Sequence, residues 1–323
     1  MARESKAKRD AKRFGTPERL ADIIIQRGVS PLFDVRKHPF AAEQFVRWEK
    51  AIRSLVENAV VVDATNVERY VCEIYQNKFV DYESAIPNYM PPFQSMFVEF
   101  INKFGDRHGY LIAAFDGPGL KACPMPIPDS LSPDRTHTVI AESFALIAGA
   151  HGNAIPVGST AIGIDDAGRI VGSIHTQVLF GALLDDAGNQ SLQNFMHTAT
   201  LPVFLAISFM HCKNVSVCPV EPNPITARER QKAGLKPFIR YHTINIDPMK
   251  QTLKTEGNME ANGPKKALHI CRGHFSSYSE DKPLFGRKGM HGRFWMPAHV
   301  RGQINKGIVK SDYRVDPPSE PTQ

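Results

Sequence analysis

After Met210 the spacing of apolar residues changes, and that change constrains the fold more than any other feature of the chain. Before it, apolar side chains recur at helical intervals. Phe45, Trp48, Ile52 and Leu55 do so within 40–58, and Leu192, Phe195, Met196, Ala199, Val203 and Ile207 do so up to Met210. After it, short apolar runs at 215–220, 237–246, 267–274, 293–299 and 308–315 are separated by loops holding Gly, Pro, Lys and Asp, the pattern of strands. A long helix followed by a run of strands predicts an antiparallel sheet with a helix across one face. The expected fold is α+β: a helical N-terminal half, then a C-terminal helix packed on an antiparallel β-sheet.

The same spacing divides the chain. Residues 1–15 read as a flexible basic arm, 16–185 as a helical and mixed region, 186–316 as helix plus sheet, and 317–323 as a tail. Thr16-Pro17 starts a helix that Gly28 can end, and Thr65-x-x-Glu68 has the form of a capping box. Pro87, Pro91 and Pro92 make 86–93 a rigid connector, because three residues lack a backbone donor. Residues 97–100 and 109–115 read as strands. Ser132-Pro133 is expected to open a helix through Ala148, on the spacing of Val139, Ile140, Phe144 and Ile147. Residues 159–174 read as a β-hairpin turning at Gly168. Pro202 should kink or split the helix that ends at Met210.

Charge is unevenly spread. The chain of 323 residues carries a net +6, yet residues 1–260 hold 28 basic and 28 acidic side chains. The surplus lies wholly beyond them, where eleven Lys/Arg between 261 and 314 face Glu280, Asp281 and Asp312. Asymmetry of this kind points to an anionic partner, most often nucleic acid. No apolar run approaches the roughly 20 residues of a membrane span, so no membrane partner is expected. The first residues carry charge with no apolar stretch behind them, unlike a secretory signal. Five cysteines without framework spacing suit a reducing compartment. A cytoplasmic location is the expectation.

Familiar motifs are missing from the sequence: there is no Walker A loop, G-x-G-x-x-G, G-x-S-x-G, H-E-x-x-H or C-x-x-C. Three apolar strands end in aspartate, at Asp63, Asp116 and Asp165/Asp166, a pattern that can gather carboxylates around a divalent cation but that turns and caps also explain. His211, Cys212 and Cys218, and His269, Cys271 and His274, are soft ligands without the spacing of a common zinc module. No metal site and no cofactor are assigned.

The basic segment from His269 to Tyr313 combines imidazole, guanidinium and aromatic rings. A metal-independent ribonuclease needs an acid and a base that titrate near neutrality and cations that stabilise charge on the scissile phosphate. On that logic His274 and His299 are the acid/base candidates. Arg272 and Arg301 are the phosphate stabilisers, each two positions from or adjacent in alternation to its histidine on a strand. Tyr278 and Trp295 are candidates for stacking a base. Arg287 and Arg293, with Arg228, Arg230, Lys232 and Lys236 in the stretch 226–236, are candidate phosphate contacts; that stretch reads as a loop joining two strands.

The segments ALHICRGHF, PLFG, GRFW, PAHVRG and KSDY, with FMHCKNV at 209–215 and PFIRYHTINIDPM at 237–249, resemble an uncharacterised bacterial protein family common in phages and mobile elements. The resemblance covers roughly the last 130 residues and implies a prokaryotic or phage setting, with no activity attached. The expected function is a nucleic-acid-interacting protein, RNA ahead of DNA, with metal-independent ribonuclease activity as its sharpest form. The alternatives are a non-catalytic DNA- or RNA-binding accessory or regulatory protein, and a protein-interaction or virion-associated component. The sequence leaves the oligomeric state open.

Overall fold

Residues 95–101, SMFVEFI, contain no turn former and a single carboxylate, and they fold as a strand buried without a break from Met96 to Phe100. This strand is the reference for the rest. The computed structural model describes residues 13, 18–31, 34, 36–68, 86–115, 139–149, 152–179, 185–246, 267–271, 274–296, 299–301 and 303–308. They belong to two compact units, one of 1–211 with 215–245, the other of 212–214 with 246–323.

The first unit is built on an eight-stranded mixed sheet. Helices α1 (Leu20–Arg27) and α2 (Pro39–Asn58) lead into β1 (Val60–Asp63). Then follow β2 (Ser95–Ile101), β3 (Arg107–Phe115), β4 (Val139–Ala148), β5 (Ala154–Ile164) and β6 (Ile170–Val178). Helices α3 (Asp186–Ala199) and α4 (Leu201–Met210), strand β7 (Val215–Val220), helix α5 (Pro224–Lys232) and strand β8 (Tyr241–Ile246) complete it. The strand order is β6-β5-β4-β3-β2-β1-β8-β7. From β2 to β6 the pairing is antiparallel, whereas β1 runs parallel to both β2 and β8.

Glu99, in the middle of β2, is fully buried and organises the helical layer. Its Oε2 accepts the backbone N–H of Leu20 at 2.8 Å, at the start of α1, where amide groups have no partner within the helix. Its Oε1 pairs with Arg19 at 2.5 Å and faces Arg107 at 3.7 Å. Arg19 also reaches Asp63 at 3.1 Å and lies 3.3 Å over the ring of Tyr241. One carboxylate thereby ties α1 to β1, β2, β3 and β8. Opposite Glu99 in register sits Gly109, where a Cβ would come within 2.5 Å of Phe97 and 3.2 Å of Leu20. Glycine is what lets the helix start lie so close to the sheet. Around this point Leu20, Ile24, Phe45, Ile52, Val61, Phe97, Leu111 and Leu146 form the core.

The α+β arrangement expected from the sequence is wrong: the chain is dominated by an eight-stranded mixed sheet, in place of a helical N-terminal half and a C-terminal helix on an antiparallel sheet. Two misread periodicities account for this. Residues 139–148 are not helical but form the central strand β4, paired along its length to β3 and β5. A short apolar run buried in a sheet has no spacing that separates it from a buried helix. The strands at 215–220 and 241–246 also do not belong to a C-terminal sheet; they extend the N-terminal one past β1. The stretch 226–236 is mainly helix α5, capped by Asn223, whose side chain accepts from Ile225 N–H at 2.9 Å. The first helix begins at Leu20, not at the expected Thr16-Pro17 cap, while three other expectations agree with the structure. Gly28 ends α1 at φ 79°, the 159–174 hairpin turns through Gly168 at φ 77°, and the helix before Met210 splits at Thr200, with Pro202 in the first turn of α4. The Thr65 helix is described only over 65–68, and the Ser132-Pro133 cap lies outside the described residues.

Glu99→Ala should leave the Arg19 guanidinium half-buried without its carboxylate and strand the Leu20 amide. The expected cost is about 3–5 kcal/mol, read as a lower urea midpoint with the slope retained.

Asp22, on the buried side of α1, has its carboxyl pushed up to about 6 by burial, against the lowering by its bond from Ile239 N–H. A raised carboxyl binds its proton more tightly folded than unfolded. Its contribution is complete below the ordinary value of 3.8 and is lost as pH rises through about 6. Asp22→Asn keeps the acceptor for Ile239 and should remove up to about 3 kcal/mol of this pH dependence, measured as the difference between variant and parent stability at pH 4 and pH 7.

Candidate nucleic-acid interface

The basic surplus resides in the second unit. Fourteen Lys/Arg lie there against eight Asp/Glu, which accounts for the chain's whole net +6 and leaves the first unit neutral. Its described part holds two small sheets. Strands β10 (His274–Tyr278) and β11 (Gly292–Met296) form an antiparallel hairpin, with His274 opposite Met296 and Tyr278 opposite Gly292. Strand β9 (Ala267–Cys271) lies between β12 (His299–Arg301) and β13 (Gln303–Ile308), antiparallel to the first and parallel to the second.

Residues 212–214 form a turn held against β11. Lys213 N–H donates to Arg293 O at 2.9 Å, and the Asn214 side chain clasps the backbone of Trp295, donating to its carbonyl at 2.7 Å and accepting from its N–H at 2.8 Å. Trp295 itself is 3% exposed and meets Phe275 edge-on at 4.7 Å; Tyr278 meets buried Phe294 edge-on at 6.0 Å. Phe275 and Trp295 stand on one face of the ribbon, Tyr278 and Phe294 on the other. Trp295 therefore has no free face for a base, and Tyr278 keeps only part of one.

The candidate acid/base groups fall on different sheets. Cys271 is in β9, His274 opens the β10–β11 hairpin, and Arg272 lies outside the described residues. In β12, Arg301 stands opposite His269 and His299 opposite Cys271, so positions 269, 271, 299 and 301 share one face of that sheet. Strand pairing sets positions 299 and 301 opposite 271 and 269, in a different sheet from His274.

The remaining candidates separate by their partners. Arg230 is not a phosphate contact: it is 3% exposed, donates to Gln26 at 2.7 Å and Lys236 O at 2.9 Å, and stacks on Phe238. Lys232 pairs with Glu229 at 3.1 Å and Lys236 with Glu57 at 2.5 Å. Arg228 is exposed. In the second unit Arg287 and Arg293 are half-buried, and Lys282 and Lys288 are exposed. Lys213 and Lys288 were not singled out from sequence. Lys213 in particular is about eighty residues from the strand it joins, and no local pattern reports such a pairing.

The metal readings do not assemble. Asp63 ends β1, whereas Asp165 ends β5, which runs the opposite way; Asp116 lies outside the described residues. Burial would raise the Asp63 carboxyl, but bonds from Thr65 and Arg19 outweigh burial and hold it below its usual range. Asp165 caps its own turn, accepting from Arg169 N–H at 2.8 Å. His211 donates from Nε2 to Met90 O at 2.7 Å, and burial pushes the Cys212 thiol up to about 12, the reverse of what a thiolate ligand needs. No group of three ligands is found among the described residues, nor is any helix there long and apolar enough to cross a membrane.

The chain matches no family model, no curated protein and no solved structure.

Asn214→Ala should remove both bonds to Trp295 and leave its buried backbone groups unpaired, at a cost of about 2–3 kcal/mol to the hairpin. Trp295 fluorescence followed through urea unfolding, in a Trp48→Phe background, reports it directly.

Proposed function

We propose that the C-terminal unit binds nucleic acid, in the cytoplasm of a cell that hosts a phage or mobile element. The observation that carries this reading is the confinement of the net charge to that unit, while the basic and acidic residues of the first unit balance. A concentrated positive field steers a polyanion and releases its counterions on contact. The cytoplasmic setting is supported by the free thiols of Cys212 and Cys218. The phage or mobile-element setting rests on the resemblance of the C-terminal segment alone.

A second reading, metal-independent RNA cleavage, is favoured by one observation, the register that juxtaposes positions 269, 299 and 301. In this chemistry the 2′-hydroxyl attacks phosphorus while one imidazole takes its proton. The second imidazole returns a proton to the departing 5′-oxygen, giving a 2′,3′-cyclic phosphate and a 5′-hydroxyl. It makes RNA the substrate, since DNA lacks the attacking group. His269 replaces His274 as the partner of His299.

One experiment separates the readings. Labelled RNA and DNA of the same sequence are incubated with the protein in EDTA over a salt series. Binding that weakens by at least about tenfold between 50 and 200 mM salt, with both polymers intact, supports a binding module. A cyclic-phosphate product that His299→Ala abolishes and His274→Ala leaves unchanged supports cleavage. No retardation of either polymer at low salt removes both readings.

A further inference from the structure

We propose that His269, Cys271 and His299, which strand pairing sets on one face of the β12-β9-β13 sheet, form a three-ligand site for a divalent ion of the zinc class. The site goes beyond the nucleic-acid reading and does not depend on it. In the sequence His269 and Cys271 group with His274, at a spacing that fits no common zinc module. Strand pairing changes the third member. His274 belongs to the β10–β11 sheet, whereas His299 stands opposite Cys271. The side chains of β9 and β12 lie outside the described set, so backbone register alone places the three residues.

That register is simple. β9 and β12 run antiparallel over three unshifted pairs: His269 with Arg301, Ile270 with Val300 and Cys271 with His299. Directly opposed residues share a face, and so do residues two apart on one strand. Positions 269, 271, 299 and 301 therefore lie on one face, and Leu268, Ile270 and Val300 on the other. Every residue of the second set is apolar, and every residue of the first is a possible ligand or a cation.

The spacing suits one ion. Directly opposed residues such as 271 and 299 have Cβ atoms about 4.5–5.5 Å apart, and diagonal ones such as 269 and 299 about 7–8 Å. Two residues along a strand, as 269 and 271 are, stand about 6.6 Å apart. Donor atoms held at about 2.0–2.3 Å from a zinc ion lie within about 4 Å of one another. An imidazole or a thiol carries its donor far enough beyond Cβ to close gaps of this size. Three ligands on one sheet face fill three corners of a tetrahedron and leave the fourth to water.

The donor set selects the metal class. Imidazole and thiolate suit zinc and its neighbours, whereas magnesium and calcium take oxygen ligands. Bridging two strands would also strengthen a sheet that is short of pairing. β12 is three residues long, and β13 pairs with β9 irregularly. An ion that binds only the folded sheet adds its binding energy to that sheet's stability.

The test is titration of the full metal-free chain with cobalt(II), which occupies zinc sites and absorbs visible light. One ion per chain is expected, with a thiolate-to-cobalt charge-transfer band and the strong visible bands of a tetrahedral centre. Cys271→Ser should abolish the charge-transfer band, and His269→Ala and His299→Ala should each weaken binding by at least about a hundredfold. His299→Cys exchanges one ligand for another and should retain tight binding with a stronger charge-transfer band, which separates loss of a ligand from loss of the fold. Cys212→Ser, Cys218→Ser and His274→Ala should leave the titration unchanged. A parent without the charge-transfer band, or a band that survives Cys271→Ser, overturns the site. So does a loss on His274→Ala equal to that on His299→Ala. A coordinated imidazole cannot act as acid or base, so the expected result also removes the cleavage reading and leaves nucleic-acid binding standing.

Discussion

The pairing of Arg19 with Glu99 is the interaction on which the first unit depends. A carboxylate wholly removed from water is costly unless its charge and both oxygens are satisfied. Here burial raises the Glu99 carboxyl, while Arg19 and Arg107 act in the opposite sense. Burial would lower Arg19, but Glu99 and Asp63 outweigh it and hold the guanidinium above its ordinary value. For Glu99 burial outweighs the two arginines, so its carboxyl stays above the usual range. Because the second oxygen takes the first amide of α1, the charge also anchors a helix of eight residues that could not persist in isolation. A neutral residue at 99 would pack as well but would not say where α1 begins, and α1 carries the core residues Leu20, Ile23 and Ile24.

How far the fold was legible depended on whether its causes were local. Gly28, Gly168 and Pro202 act within one or two turns, and their effects stand in the structure where the sequence placed them. The β4 strand is different. Val139, Ile140, Phe144 and Ile147 fit a helix when taken alone, and what makes them a strand is the presence of β3 and β5 on either side. The parallel insertion of β1 between β2 and β8 was equally out of reach, since β8 comes nearly 180 residues later. Glu99 was invisible for the same reason: a carboxylate in an apolar strand signals nothing until its arginine is known.

The candidate site shows the same division. The concentration of charge beyond residue 260 was legible because composition needs no geometry. Individual roles were not. Arg230 looked like its neighbours Arg228 and Lys232, yet its guanidinium is buried between Gln26 and Phe238, because α5 turns that one side chain inward. Trp295 looked like a stacking platform, yet a narrow hairpin consumes its aromatic rings as core. The alternation rule placed Arg272 and His274 on one face of one strand; Arg272 lies outside the described residues, and His274 opens β10.

Small sheets impose a trade that bears on recognition. A two-stranded ribbon must bury most of the apolar surface it owns, so Phe275, Phe294 and Trp295 are committed before any ligand arrives. At Gly292 the ribbon instead makes room for a neighbour, since a Cβ there would come within 2.8 Å of the Lys213 side chain.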